Sequence, residues 1–277
     1  MKQDFSQPRK KVFQKIRHNF QDAAHIVRTL MVVALGIGAI AVSAMYLSKE
    51  AVTADSSHVV NGRALPIYCV ETDAPQIALT FDAAWGNEDT ADILAILAKH
   101  DVKVTFFMTG GWIENYPEDV KAIYEAGHDL GNHSQTHPDM ATISTEEIRR
   151  ELMGPYESVK ELTGYEMSLF RPPYGSYNNE LIETASDCGF YTIQWDVDSL
   201  DWKDYGVDSI INTVCNHKHL GNGSIILCHN GSKYTAQALD TLITNLKAQG
   251  YEFVKLSELI YTDNYYMDHE GRQHPQQ

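Results

Sequence analysis

The chain has 277 residues, 43% of them hydrophobic and 21% charged, a globular balance that excludes a mostly disordered chain. A formal net charge of −15 excludes a nucleic-acid binder, because gripping phosphate backbones takes clustered cations. The four cysteines contain no CxxC pair, so neither a zinc ribbon nor a disulfide-dense miniprotein is indicated.

The charge is unevenly spread. Residues 1–28 carry seven Lys and Arg against Asp4 and Asp22, so the acidic excess lies entirely in the rest of the chain. Residues 29–48 then run for 20 positions without a charge, about 30 Å of helix, the thickness of a bilayer's hydrocarbon core. The expectation is a single transmembrane signal-anchor at 29–48, with 1–28 as a cytoplasmic basic tail and the acidic remainder outside the cell. A signal peptide cleaved near Ala41, Ala44 or Ala54 is the alternative. Residues 49–65 are small and polar and read as a linker.

From there short apolar runs alternate with helical patterns. The expected strands are 76–81, 102–108, 129–133, 168–172, 192–197, 224–229 and 252–256, rich in β-branched and aromatic residues, as strands buried on both faces are. Helical periodicity falls between them, at 89–100, 115–127, 144–164, 178–189, 207–219 and 234–249. Ser144 with Glu147 spells a capping box, while Gly127, Gly164, Gly189 and Gly250 read as helix stops and Gly154-Pro155 as a kink. This alternation predicts an α/β fold with a mostly parallel sheet, either a barrel or an open doubly wound sheet. Residues 263–277 read as a polar, frayed tail, with Tyr261, Tyr265 and Tyr266 as an apolar anchor near its start.

Parallel α/β folds carry their chemistry at the carboxyl ends of the strands. Asp82, His133, Arg171, Asp196, Asp198 and His229 all stand at such ends and are expected to converge on one rim. His133 and His137 form an HxxxH pair able to hold a divalent ion with positions left open, without the Glu of the helical zinc-protease motif. Cys228, inside a strand, reads as a small core residue, and Cys69, Cys188 and Cys215 could pair in an exported protein.

Five ordered motifs then form a set: Thr80-Phe81-Asp82, His133-Ser134-x-x-His137, Arg171-Pro172-Pro173-Tyr174-Gly175, Asp198-x-x-Asp201-Trp202 and Leu227-x-His229. The set resembles the polysaccharide deacetylases, carbohydrate esterases of the nodulation and peptidoglycan type, over about residues 70–260. With Trp85 and Gly86 the first motif looks most like the sporulation-associated branch. The resemblance implies a distorted (β/α) barrel of about seven parallel strands, spanning 66–262, that removes acetyl groups from N-acetylated sugars of the cell wall.

Position by position, it implies a divalent metal ion on His133 and His137, zinc first, with cobalt, manganese or nickel as alternatives. It makes Asp82 the general base, Arg171 its ion-pair partner, His229 the general acid and Asp201 the residue that charges that imidazole. The backbone N–H of Tyr174 would serve the oxyanion, and Trp85, Trp202 and Leu227 the substrate pocket. The implied partners are a wall glycan and, through the anchor, the membrane, with no nucleic acid and a monomeric exported domain.

Two positions depart from the pattern. Ala83 stands where full metal sites have a second Asp, so the third ligand is missing unless Glu88 or Asp89 replaces it. Asn230 follows His229 where relatives often carry an acidic residue. Ala83 keeps open a second reading, an anchored glycan-binding protein without turnover. A third is a deacetylase of some small exported amide.

Overall fold

The computed structural model describes residues 58–276. The tail and membrane anchor expected within residues 1–48 lie outside the described residues, as does most of the linker. Among the described residues, no helix is long and apolar enough to cross a membrane.

The described chain opens with a small antiparallel hairpin, β1 (Val59–Val60) and β2 (Arg63–Ala64), followed by β3 (Cys69–Val70). The last residues of the expected linker therefore belong to the folded body, where Ala64 is fully buried and its N–H is bonded to Asn179 Oδ1. The alternating part follows as β4 (Gln76–Ala83), α1 (Thr90–Lys99), β5 (Thr105–Met108), α2 (Gly110–Asn115), α3 (Pro117–Glu125), β6 (Asp129–Asn132), α4 (Thr145–Thr163) and β7 (Leu169–Phe170). It continues through α5 (Asn179–Asp187), β8 (Tyr191–Thr192), β9 (Val197–Asp198), α6 (Val207–Cys215), β10 (Ile225–His229), α7 (Thr235–Ala248), β11 (Glu252–Phe253) and α8 (Leu256–Leu259). Two final strands, β12 (Tyr265–Met267) and β13 (Arg272–Pro275), close the described chain.

Local signals act as expected at several ends. Ser144 and Glu147 bond reciprocally at the start of α4, and Gly164 ends it in a left-handed conformation, φ 76°, which costs a residue without Cβ little. The helix runs through Gly154 and Pro155 without a break, so the expected kink does not divide it. Helix α2 had no periodic signal. It is capped by Thr109, whose side chain accepts the Trp112 N–H.

The main sheet runs β8-β7-β6-β5-β4-β10-β9, with β11 also on β4, and every pairing in it is parallel. The expected strand at 192–197 is two strands on opposite edges of this sheet. Only residues 193–196 join them, and five residue steps reach at most about 18 Å. The sheet must therefore curl until its edges nearly meet, a half-closed barrel. Residues Ile67 to Val70 stitch the seam, Ile67 pairing with Ile193 and Cys69 with Ser224.

Alternation along β4 sorts its side chains. Ile77, Leu79, Phe81 and Ala83 join the large cluster with the surrounding helices, whereas Ala78 packs with Phe107, Leu169, Ile193 and Ile225 in a second, smaller one. Leu256, Leu259, Tyr265 and Met267 belong to that second cluster as well. The 263–277 segment is thus not a frayed tail: β12 pairs with β13, and β13 pairs in parallel with β3. All four cysteines are free thiols.

Candidate active site

The strand ends at one side of the barrel surround a cavity of about 450 Å³. It is lined by Asp82, Trp85, His133, His137, Tyr174, Asp198, Trp202, Leu227 and His229, all expected from the sequence, and by Pro172, Gly175 and Trp195. Arg171 and Asp201 stand directly behind Asp82 and His229. Asp196 is the exception among the strand-end residues. Its carboxylate accepts Ile225 N–H and Ser224 Oγ–H at the amino end of β10, away from the rim, and burial pushes its pKa up to about 6.

Asp82 is almost fully buried. Its Oδ1 accepts a 2.7 Å bond from Arg171 Nη1, which also donates to Thr80 Oγ1 at 2.9 Å, while Nη2 donates to Gln194 O. The guanidinium lies 4.2 Å from the Phe107 ring centroid. Burial by itself would raise the Asp82 pKa, but Arg171, helped by His133 and His229, outweighs it and holds the carboxyl below its ordinary range. The other oxygen, Oδ2, faces His133 Nε2 at 3.6 Å.

The loop after β6 is fastened at each step. Asn132 is buried and donates to Leu152 O, and its Oδ1 accepts Ser134 N–H; Ser134 Oγ in turn accepts His137 N–H at 2.9 Å. Gln135 lies in a slot between α2 and α4, where a Cβ added to Gly110 or Gly154 would fall 2.0 or 2.5 Å from its amide. Thr136 bonds the Glu151 carboxylate through both its N–H and its hydroxyl. So anchored, the loop turns both imidazoles to one point: His133 Nε2 and His137 Nε2 lie 3.2 Å apart.

His133 Nδ1 donates to Arg171 O at 2.7 Å, which fixes the tautomer and leaves Nε2 bare. Burial pushes the His133 pKa down to about 4 and lowers that of His137 as well, so both rings are neutral at pH 7, as ligands must be. Two nitrogens bound to one tetrahedral zinc at about 2.0–2.1 Å stand about 3.3 Å apart. The pair therefore fits two ligand positions of a divalent ion, with Asp82 Oδ2 close by. Among the described residues, no group of three or more His, Cys, Asp or Glu is arranged as a metal cluster. Ala83 is packed in the core, Asp89 Oδ1 accepts Gly231 N–H, and neither Glu88 nor Asp89 lines the cavity.

Across the cavity, His229 Nδ1 donates to Asp201 Oδ1 at 2.7 Å. Asp201 also accepts His229 N–H and Thr235 Oγ–H through Oδ2, so both of its oxygens are engaged. Burial would lower the His229 pKa, but its bond to Asp201 and the charge there outweigh burial and raise it. Asn230 does not face the imidazole. It donates from Nδ2 to Gly86 O and accepts Thr90 Oγ–H, tying down the loop that carries Trp85, and Trp112 Nε1 donates to the same carbonyl. An acidic residue there could accept but not donate.

Sequence reading missed Trp195, which lay inside a run taken for one core strand. Its signal is Gly175: at φ 66°, a Cβ there would meet the Trp195 ring at 3.0 Å, so the glycine and the indole are shaped to each other. Tyr174 has a left-handed backbone, φ 60°, and its side chain is 71% exposed at the rim; Trp85 and Trp202 are 58% and 55% exposed.

The chain is similar to several known proteins. The family profile for polysaccharide deacetylase matches residues 70–193. The peptidoglycan-N-acetylmuramic acid deacetylase PdaA of Bacillus subtilis is 36% identical over 202 residues, 70% of this chain and 74% of that one. The peptidoglycan-N-acetylglucosamine deacetylase of Bacillus cereus is 38% identical over 194 residues, 68% and 69% of the two chains. Among solved structures, BA3943 of Bacillus anthracis, a CE4 family pseudoenzyme, matches with a TM-score of 0.68 at 36% identity, over 76% of this chain and 73% of that one. A BA3943 mutant with restored enzymatic activity matches at 0.67 and 42% identity, over 70% of each.

Proposed function

The chain belongs to the polysaccharide deacetylase family, and from that membership and the cavity geometry we propose that it is a metal-dependent de-N-acetylase of peptidoglycan amino sugars, held outside the membrane by residues 29–48. The observation that carries this reading is the meeting of two imidazole Nε2 atoms, 3.2 Å apart, with the free oxygen of a buried, arginine-paired aspartate.

His133 and His137 would hold a divalent ion there, and its Lewis acidity would supply polarisation of the acetamide carbonyl and a more acidic attacking water. Asp82 takes the water proton on Oδ2, because Oδ1 is committed to Arg171, whose charge keeps the carboxylate ionised. The backbone N–H of Tyr174 donates to the oxyanion that develops as the water oxygen bonds the carbonyl carbon. His229, charged through Asp201, delivers a proton from Nε2 to the amide nitrogen as the C–N bond breaks, releasing acetate and a free amine. Leu227 and Trp202 enclose the acetyl methyl, and Trp85 covers the mouth between His137 and His229, 6.1 Å from each ring.

Ala83 favours a second reading, a glycan-binding protein that no longer turns over, and the likeness to a pseudoenzyme supports it. The test incubates the full chain and zinc with N-acetylglucosamine oligomers and with purified cell wall, and measures acetate. Zinc-dependent release supports the hydrolase; a folded chain that releases none from either substrate sinks it. The parent and His137→Ala then separate the two readings: an enzyme turns over as it stands and loses that rate in His137→Ala, whereas a binding protein releases no acetate in either and keeps its glycan affinity in both.

A further inference from the structure

The two imidazoles are held very differently. His133 sits at a strand end, buried, with its second nitrogen locked to the Arg171 carbonyl at 2.7 Å. His137 lies four residues on, in a loop, with a left-handed backbone of φ 60°. Its N–H is fixed by Ser134 Oγ, and its ring bonds only its own main chain, with no carbonyl or carboxylate of another described residue on the nitrogen away from His133. The usual device for orienting a ligand histidine, a bond from a neighbouring element, is thus present for one ring, while the other has only a bond within the residue itself.

What touches the His137 ring instead is Tyr174. The two rings meet edge to face with centroids 4.7 Å apart, and the tyrosine hydroxyl donates to the His137 carbonyl at 3.3 Å. One side chain therefore grips the histidine twice, at its ring and at its main chain. A mostly exposed tyrosine gains little from burial, and the left-handed backbone that brings it there is disfavoured for a residue with a Cβ. Such strain persists where the surroundings enforce it, and the shared geometry with His137 is what it accomplishes here.

We propose that the side chain of Tyr174 is a positioning residue for His137, doing from outside the loop what a bond from a neighbouring element does for His133. The inference rests on the reading of His133 and His137 as metal ligands and is separate from any role of the Tyr174 N–H. Its weight is greatest in a site without a third anionic ligand, where affinity depends on two rings being aimed before the ion arrives.

The test titrates the full chain with zinc ions alone, by calorimetry, and with cobalt(II), by visible absorption, in the parent protein, Tyr174→Phe and Tyr174→Ala. Tyr174→Ala is expected to weaken zinc binding about 10–100-fold, the range for removing a group that orients a ligand. Its cobalt spectrum should shift toward weaker, more solvated coordination. Tyr174→Phe keeps the ring contact and loses the tether, so it should fall between the two. Because the side chain is exposed, thermal unfolding of both metal-free variants should match the parent. Equal zinc affinity in the parent and Tyr174→Ala overturns the inference and leaves the hydrolase reading intact. A parent that binds zinc, with Tyr174→Ala weakened and no acetate released by either, sinks the hydrolase reading and keeps the inference.

Discussion

On one wall of the cavity, His133 and His137 lie where burial dominates, and both rings stay neutral with their Nε2 atoms facing each other. On the other wall, His229 is also largely buried, yet a carboxylate 2.7 Å from its Nδ1 reverses the outcome and favours the charged ring. The backbone carbonyl that holds His133 orients its ring without a full negative charge; the Asp201 that holds His229 orients and charges it. The same side chain is suited to hold an ion in one place and to give a proton in the other because of what its second nitrogen meets. Asp82 stands between the two, kept anionic by Arg171.

The hardest blow to this division of labour is Asp82→Asn, which removes the proton acceptor common to both walls. Acetate release should fall about 10²–10⁴-fold, and turnover near the parent rate would mean the base is misassigned. Arg171→Met tests the support behind it. It leaves a buried carboxylate without its cation and should cost about 3–5 kcal/mol of stability, read from the midpoint and slope of urea unfolding. An unchanged midpoint would show that Asp82 is not held as an ion.

Asp201→Asn addresses the acid wall alone. The imidazolium of His229 exists below its pKa, so activity that needs it is lost as pH rises through that value. Without the Asp201 charge the pKa falls, and the alkaline limb of kcat/KM should move to lower pH, with a roughly tenfold loss at neutral pH. An unmoved limb would assign the acid elsewhere. The smallest change is Asn230→Asp, which removes the donor to Gly86 O and should cost about 1 kcal/mol. The pH profile should stay in place, since Asn230 does not touch the His229 ring; a shifted profile would join the Trp85 loop to the acid wall.

Strands such as β4, β5 and β10 were legible because burial on both faces makes them mostly apolar, with Asp82 and His229 only towards their carboxyl ends. The split of 192–197 into β8 and β9 was hidden because polar Thr192, Gln194 and Asp196 alternate with Ile193, Trp195 and Val197, the pattern of one continuous strand. Residues 263–276 misled in the other direction. They read as polar because β12 and β13 pair in a small sheet beside the barrel, and their contribution is backbone pairing with β3 plus the buried Tyr265 and Met267. Asp196 looked like a site residue by position alone, and its register against Ser224 and Ile225 puts it at the wrong end.

The order of motifs along the chain identified the family and singled out residues that line one cavity, because such chemistry needs particular side chains. Distances among them, the opposite charge states of the two histidine walls, the donor role of Asn230 and the grip of Tyr174 on His137 emerged only in three dimensions. Those properties depend on which group each atom faces around the cavity, and residues as far apart in sequence as Asp82 and His229 become neighbours only when β4 and β10 pair.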